Sequence, residues 1–292
     1  MKQPKTTYYR ELLAACRVEM ELLGYARGTA KLNGAGELLR WLEERGKLML
    51  DQVERADMAD YLTYLTTRPK RTGGGALSPY TVAGYVFSIK LLFDYAERYG
   101  LRGGSPLTGL VLPELPSPNR YVATAEEIEK LYRAAADDGR MTAVLHLLYG
   151  CGLRRMEVER LNVGDVDHAA GLLYVRRGKG RKRRVVPLAA TVAAGLKEYR
   201  KRERWRWVGA GSGKAFLLND RGGRMRGNTV GLRLQKLVAK AKVKKQITPH
   251  VLRHSVATHL VAGGMGLERV RDFLGHEFLE TTQIYTHVKA AE

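Results

Sequence analysis

The chain has little cysteine. Two thiols, Cys16 and Cys151, stand far apart in 292 residues, which excludes a disulfide framework and a four-cysteine zinc site. Long apolar runs are also missing. The longest, over residues 141–153, is interrupted by His146 and is too short to span a bilayer. The opening MKQPKTTYYR has no apolar core of the kind a secretory signal needs. No long basic amphipathic helix with an aromatic face and no lipidation motif marks a membrane surface. Internal repeats and low-complexity stretches are absent as well. These absences predict a soluble, cytoplasmic protein with no membrane partner.

Acidic residues are the other scarcity. Against 50 Lys and Arg stand 30 Asp and Glu, a formal net charge of +20. The excess is uneven: residues 1–115 carry 16 basic and 13 acidic side chains, while residues 116–292 carry 34 and 17. A uniformly solvated surface would not concentrate its charge in one half. A field of this sign and size seeks a polyanion, and without membrane features the partner it predicts is nucleic acid.

A hydrophobic content of 45% is enough for a packed core, and the length suits two domains. Apolar periodicity predicts four helices over residues 6–23, 29–44, 52–66 and 79–99. Ser78-Pro79 supplies a start signal for the last of them, and Gly100 a stop. Pro106, Pro113, Pro116 and Pro118 forbid a helix over residues 103–123, so an extended linker is expected there. Thr124 with Glu127 forms a capping box that starts a new helix. The expected division is an α-helical N-terminal domain over residues 1–108, a linker over 109–123 and a second domain over 124–292. The second domain mixes types. Helices are predicted over residues 124–136, 141–151, 154–161, 190–204, 228–242, 249–262, 267–274 and 279–286. Two β-like runs, 172–176 and 184–188, flank the turn RGKGRKR and predict a hairpin, with 215–218 as a candidate third strand.

The chemistry-bearing residues gather at the end of the chain, in TPHVLRHSVATHL and LGHEFLETTQIYTHV. His250 and Arg253 are three apart on a predicted helix and so share a face; His276 and Tyr285 follow. An acid/base group, a fixed cation, a second imidazole and a phenol suit making and breaking a phosphodiester. Arginine fits because its planar fork offers parallel hydrogen bonds to a phosphate and never deprotonates. Each residue also has a plain reading. HxxR in isolation is most often a surface histidine beside a surface arginine. Lys179, in a turn crowded with Arg181, Lys182 and Arg183, reads as a solvated lysine. Arg154 reads as a helix-surface cation paired with Glu157, His276 as a turn residue, and Tyr285 is one of 15 tyrosines. A zinc site on His250 and His254 is disfavoured, because no glutamate accompanies the pair and Arg253 would repel the ion. The run GAGSGK, 209–214, departs from the phosphate-loop pattern and reads as a plain loop. Basic residues 197–206 with Trp205 and Trp207 read as a solvated helix face carrying two packed indoles.

Together with LLYGCGLRRMEVERLNVGDVD and VRRGKGRKRRVVPL, the C-terminal segments resemble the tyrosine recombinase (phage integrase) family, especially its Xer-like members. The boxes stand in that family's order over residues 124–288. The resemblance implies a mainly α, two-domain fold. Its N-terminal part is a SAM-like helical core-binding domain, and its C-terminal part an α+β catalytic domain with a small antiparallel sheet. It implies site-specific DNA breakage and rejoining through a 3′-phosphotyrosine and a Holliday junction, without metal, ATP or any cofactor. Carried onto this chain, Arg154 and Arg253 clamp the scissile phosphate and Lys179 is the general acid to the 5′-oxygen. His250 assists proton transfer, His276 hydrogen-bonds the phosphate, Tyr285 is the nucleophile, and Glu157 supports the site.

The resemblance also implies duplex recombination sites as partners and a homotetramer on two of them, with or without a second recombinase or accessory protein. Seven residues follow Tyr285, fewer than relatives carry, which predicts weak self-association without DNA. The N-terminal half is too short for an added arm-binding domain, which favours dimer resolution of the Xer type over integration of a mobile element. Two rival readings stand beside this one: a type IB topoisomerase, and a non-catalytic DNA-binding protein on the same scaffold.

Overall fold

A computed structural model describes residues 3–23, 32–70, 74–111, 121–176, 183–275 of the chain. It separates into two compact units, Met1–Pro118 and Asn119–Glu292.

The first unit is helical: α1 (Thr7–Leu22), α2 (Asn33–Glu43), α3 (Arg55–Thr67) and α4 (Pro79–Arg98). Each buries an apolar stripe. On α1 the stripe is Tyr9, Leu12, Leu13, Cys16 and Met20, the three-and-four spacing that puts side chains on one face. Ser78 caps α4, its hydroxyl accepting from Thr81 N at 3.2 Å. Gly100 ends it at φ 66°. α2 and α4 touch backbone to backbone: a Cβ on Gly34 would lie 2.8 Å from Tyr85 Cα, and Ala35 N donates to Ser88 Oγ at 2.8 Å. The start of the proline-rich stretch belongs to this core, since Leu107 is buried in it and Leu110 packs against it.

The second unit contains α5 (Ala125–Ala134), α6 (Gly139–Leu145), α7 (Arg155–Arg160), α8 (Ala190–Glu198), α9 (Gly227–Lys240), α10 (Pro249–Ala262) and α11 (Leu267–Leu274). The Thr124–Glu127 capping box forms, with Thr124 N donating to Glu127 Oε2 at 2.9 Å and Glu127 N to Thr124 Oγ1 at 3.2 Å. A π turn, His146–Gly150, continues α6. The sheet has the order β1 (Val166–Asp167), β2 (Leu172–Val175), β3 (Arg184–Pro187), antiparallel throughout, with Leu173 opposite Val186 and Tyr174 opposite Val185.

Two expectations are corrected. Residues 215–218 are not the third strand; that place is taken by β1. Their backbone groups are used elsewhere. Phe216 N donates to Leu161 O and Met225 N to Leu217 O, and Arg204 Nε donates to the carbonyls of Ala215 and Phe216. The two indoles are not both packed either. After α8 the chain passes through a π turn (Tyr199–Glu203) and a 3₁₀ turn (Arg204–Trp207). The changed pitch buries Tyr199 and leaves Trp205 65% exposed, while Trp207 lies 4.1 Å from the Arg140 guanidinium. The hairpin turn and the helix expected over 279–286 lie outside the described residues. Among the described residues no helix is long and apolar enough to cross a membrane.

Candidate active site

The site is built around one buried carboxylate. Arg154 caps α7 in an extended conformation (φ −71°, ψ 150°). Three residues on, Glu157 reaches back, its Oε2 accepting from Arg154 N at 2.9 Å and its Oε1 from Arg154 Nη1 at 3.0 Å. This is the acidic half of a capping box, so the spacing Arg-x-x-Glu that the sequence displays is closed by a local helix start. The Arg154–Glu157 pairing expected from i,i+3 spacing is present, with the Arg154 side chain 28% exposed.

Two further guanidinium groups converge on the same carboxylate. Arg184, the first residue of β3, donates from Nη1 and Nη2 to the two Glu157 oxygens, both at 2.9 Å. Arg253 Nη1 lies 4.0 Å from Glu157 Oε2. Burial alone would raise the Glu157 carboxyl. The hydrogen bonds and charge of Arg184, then those of Arg154, override it and hold the group at about 2. One carboxylate thus faces three guanidinium groups, which leaves a local excess of positive charge.

The C-terminus of α11 supplies the other half of the scaffold. The last carbonyls of a helix lack intrahelical donors and carry the negative end of its dipole. Here three consecutive ones are claimed by the three arginines. Phe273 O accepts from Arg184 Nε at 3.1 Å, Leu274 O from Arg253 Nη2 at 2.6 Å, and Gly275 O from Arg154 Nη2 at 3.1 Å. Arg253 Nη1 also donates to Gly152 O. Two glycines permit this approach. Gly275 is left-handed (φ 66°, ψ 52°), and a Cβ there would sit 2.8 Å from Arg184 Cδ. A Cβ on Gly152 (φ 58°) would sit 2.8 Å from Leu274 Cδ2. Only glycine takes such a backbone at no steric cost.

The structure therefore brings Arg154, Glu157 and Arg253 together. His250 is placed differently. It lies on α10 one turn before Arg253, as the spacing predicts, but in the first helical turn and exposed, while Arg253 is 5% exposed. Thr248 caps this helix, accepting from Val251 N at 3.2 Å. Lys179, His276 and Tyr285 lie outside the described residues; His276 directly follows Gly275. α10 is tied down from behind: buried Ser255 Oγ accepts from Ala123 N at 2.8 Å, and the His259 ring meets Tyr149 OH at 2.8 Å.

Sequence reasoning missed Arg184. The signal was present in the strand alternation, because Arg184 shares the inward face of β3 with buried Val186 while Val185 is 47% exposed. An arginine on a core-facing position requires a buried partner.

The fold is mainly helical with a small antiparallel sheet and a cluster of three arginines, and comparison with known proteins gives its class. The phage integrase family model matches residues 122–292. The chain is 34% identical over 254 residues to tyrosine recombinase XerC of Oceanobacillus iheyensis, covering 85% of this chain and 81% of that protein. It is 38% identical over 257 residues to tyrosine recombinase XerD of Corynebacterium glutamicum, covering 86% and 83%. In fold it is similar to the Tn1549 transposon integrase solved with transposon right end DNA, with a TM-score of 0.71 at 20% identity over 94% of each chain. The chain belongs to the phage integrase family and is a Xer-like tyrosine recombinase, an enzyme class that breaks and rejoins DNA strands.

Proposed function

We propose that this chain recombines duplex DNA at specific sites with Arg154 and Arg253 holding the scissile phosphate and Tyr285 attacking it. The phenolic oxygen bonds to phosphorus as the bond to the 5′-oxygen breaks. Lys179 gives that oxygen its proton, His250 takes the phenolic proton, and His276 donates to a non-bridging oxygen. The products are a 3′-phosphotyrosine and a free 5′-hydroxyl. Attack by a 5′-hydroxyl from the partner strand reverses the bonds, so the phosphodiester energy is retained and no ATP is consumed. An unperturbed phenol titrates near ~10, and a cationic pocket favours the phenolate and so activates it.

The observation that carries this reading is the cluster of Arg154 and Arg253 around Glu157, two fixed cations held by carbonyls on a rigid scaffold. Preorganised donors of this kind stabilise charge that builds in a pentavalent transition state. In the full assembly, residues 1–108 and 124–292 both contact the duplex, joined by the 109–123 linker. Four copies act on two sites, with or without a second recombinase or accessory protein, and exchange strands in pairs through a Holliday junction. Dimer resolution of the Xer type fits best, in line with the XerC and XerD names of the relatives.

The test is covalent trapping. A pool of nicked duplexes with randomised centres is incubated with the protein, and species that survive denaturation are sequenced. A Tyr285-dependent adduct is expected, enriched in one sequence. No adduct, or one that persists in Tyr285→Phe, would overturn the assignment. Relaxation of supercoils without joining of two recovered sites would instead mark a type IB topoisomerase.

A further inference from the structure

Arg184 lies outside the set of residues to which a chemical role has been given, yet it bonds to both Glu157 oxygens and to the Phe273 carbonyl. Its side chain is 10% exposed. It spans three segments that are distant in sequence: the start of α7 through both Glu157 oxygens, the end of α11 through Phe273 O, and β3 itself. In sequence, its strand starts five residues after Lys179.

We propose that Arg184 is a positioning residue for strand cleavage, setting where Arg154 and Arg253 stand relative to the scissile phosphate. The inference rests on the reading that those two arginines hold that phosphate. The argument is one of competition for Glu157. With Arg184 in place, each carboxylate oxygen accepts from Arg184 as well as from Arg154, and Arg253 is kept at 4.0 Å. Arg253 then directs its donors to Gly152 O and Leu274 O. Without Arg184, a buried carboxylate is left short of two hydrogen bonds, a costly state. Arg154 is already bonded to both oxygens, so the nearest cation able to repair it is Arg253, which would be drawn toward Glu157 and away from the phosphate. The bond from Arg184 to Phe273 O would be lost in the same step, loosening the helix end that orients both clamp arginines. Lysine cannot substitute, since one ammonium cannot make two parallel bonds to Glu157 and a third to a carbonyl.

The experiment uses the full chain and the nicked duplex recovered by trapping. Arg184→Gln, Arg184→Lys, Arg154→Lys and the double variant Arg154→Lys/Arg184→Gln are compared by single-turnover adduct formation at saturating protein. DNA affinity and thermal unfolding are measured alongside. Both Arg184 variants should cleave on the order of 100-fold more slowly, with DNA affinity changed less than about threefold because the misplaced groups act mainly on the transition state. The double variant should be nearly as slow as Arg154→Lys alone, because residues acting through one unit are not additive. Three results would each overturn the proposal. The first is a wild-type rate. The second is a loss that multiplies with that of Arg154→Lys. The third is that neither Arg184 variant folds, which would make the residue a stability element only. If the wild type itself forms no adduct, the functional reading fails first and this inference falls with it.

Discussion

Arg184 and Glu157 are 27 positions apart and form a two-bond ion pair at 2.9 Å, the most completely satisfied contact in the site. Around it the enzyme arranges its cations. A single acid bonded to Arg154 and Arg184 fixes their planes and neutralises only part of the local positive charge.

Glu157 gives the protein a signature at low pH. Its folded pKa, about 2, lies below the ordinary carboxylate value, so its contribution is fully present above about pH 4.5 and is lost as pH falls toward 2. The shift corresponds to about 3 kcal/mol at most. Glu157→Gln should be less stable than wild type at neutral pH, and the gap should narrow as pH drops through that window. Chemical denaturation at several pH values checks this.

Arg253→Lys should fold and bind DNA but cleave it roughly 10²–10³-fold more slowly, the range seen when one preorganised transition-state donor is removed. A lysine cannot serve Gly152 O, Leu274 O and a phosphate together. Single-turnover trapping on the recovered site reads the loss.

The close pass of α8 over the π turn can be probed without touching the site. A Cβ on Gly195 would fall on the buried His146 ring, which is also held by Tyr132 OH at 3.1 Å. Gly195→Ala should lower stability by about 1–3 kcal/mol, measurable as a reduced denaturation midpoint. A neutral or stabilising effect would show that the ring moves freely.

Ser255→Ala strips the buried Ala123 N–H of its partner. The expected cost is about 1–3 kcal/mol. Because that hydroxyl is the Ala123 N–H's partner, protection of the Ala123 amide from hydrogen exchange should fall in the same variant.

Binding to duplex DNA should be strongly salt-dependent. For a surface making several phosphate contacts, affinity falls by roughly 10³–10⁵ between ~50 and ~200 mM salt. Fluorescence anisotropy across that range checks it. A flat response would mean that the basic half of the chain is not the DNA-binding face.

Much of this was legible in the chain. The α4 start at Ser78-Pro79, the Thr124–Glu127 capping box, the hairpin pairing of 172–175 with 184–187 and the helix carrying His250 and Arg253 all follow from near-neighbour patterns. The third strand was misplaced because residues 215–218 read as a short apolar run, whereas β1 is only Val166–Asp167 and is set by its backbone pairing with β2. Trp205 was taken as packed because periodicity carries a helix forward past Tyr199, while a π turn changes the face that each later residue presents.

Read alone, the chain already dictates its family, its affinity for a polyanion and the adjacency of Arg154 to Glu157. The first depends on the order of motifs along the chain, the second on composition and the third on residues within one helical turn. The meeting of Arg184 with Glu157, and the capture of Phe273, Leu274 and Gly275 carbonyls by three arginines from three elements, is settled only when the fold closes. Those contacts join residues up to 121 positions apart. Local rules say that a buried arginine must find a partner; they do not say which, because that depends on which helix end the core packing brings beside it.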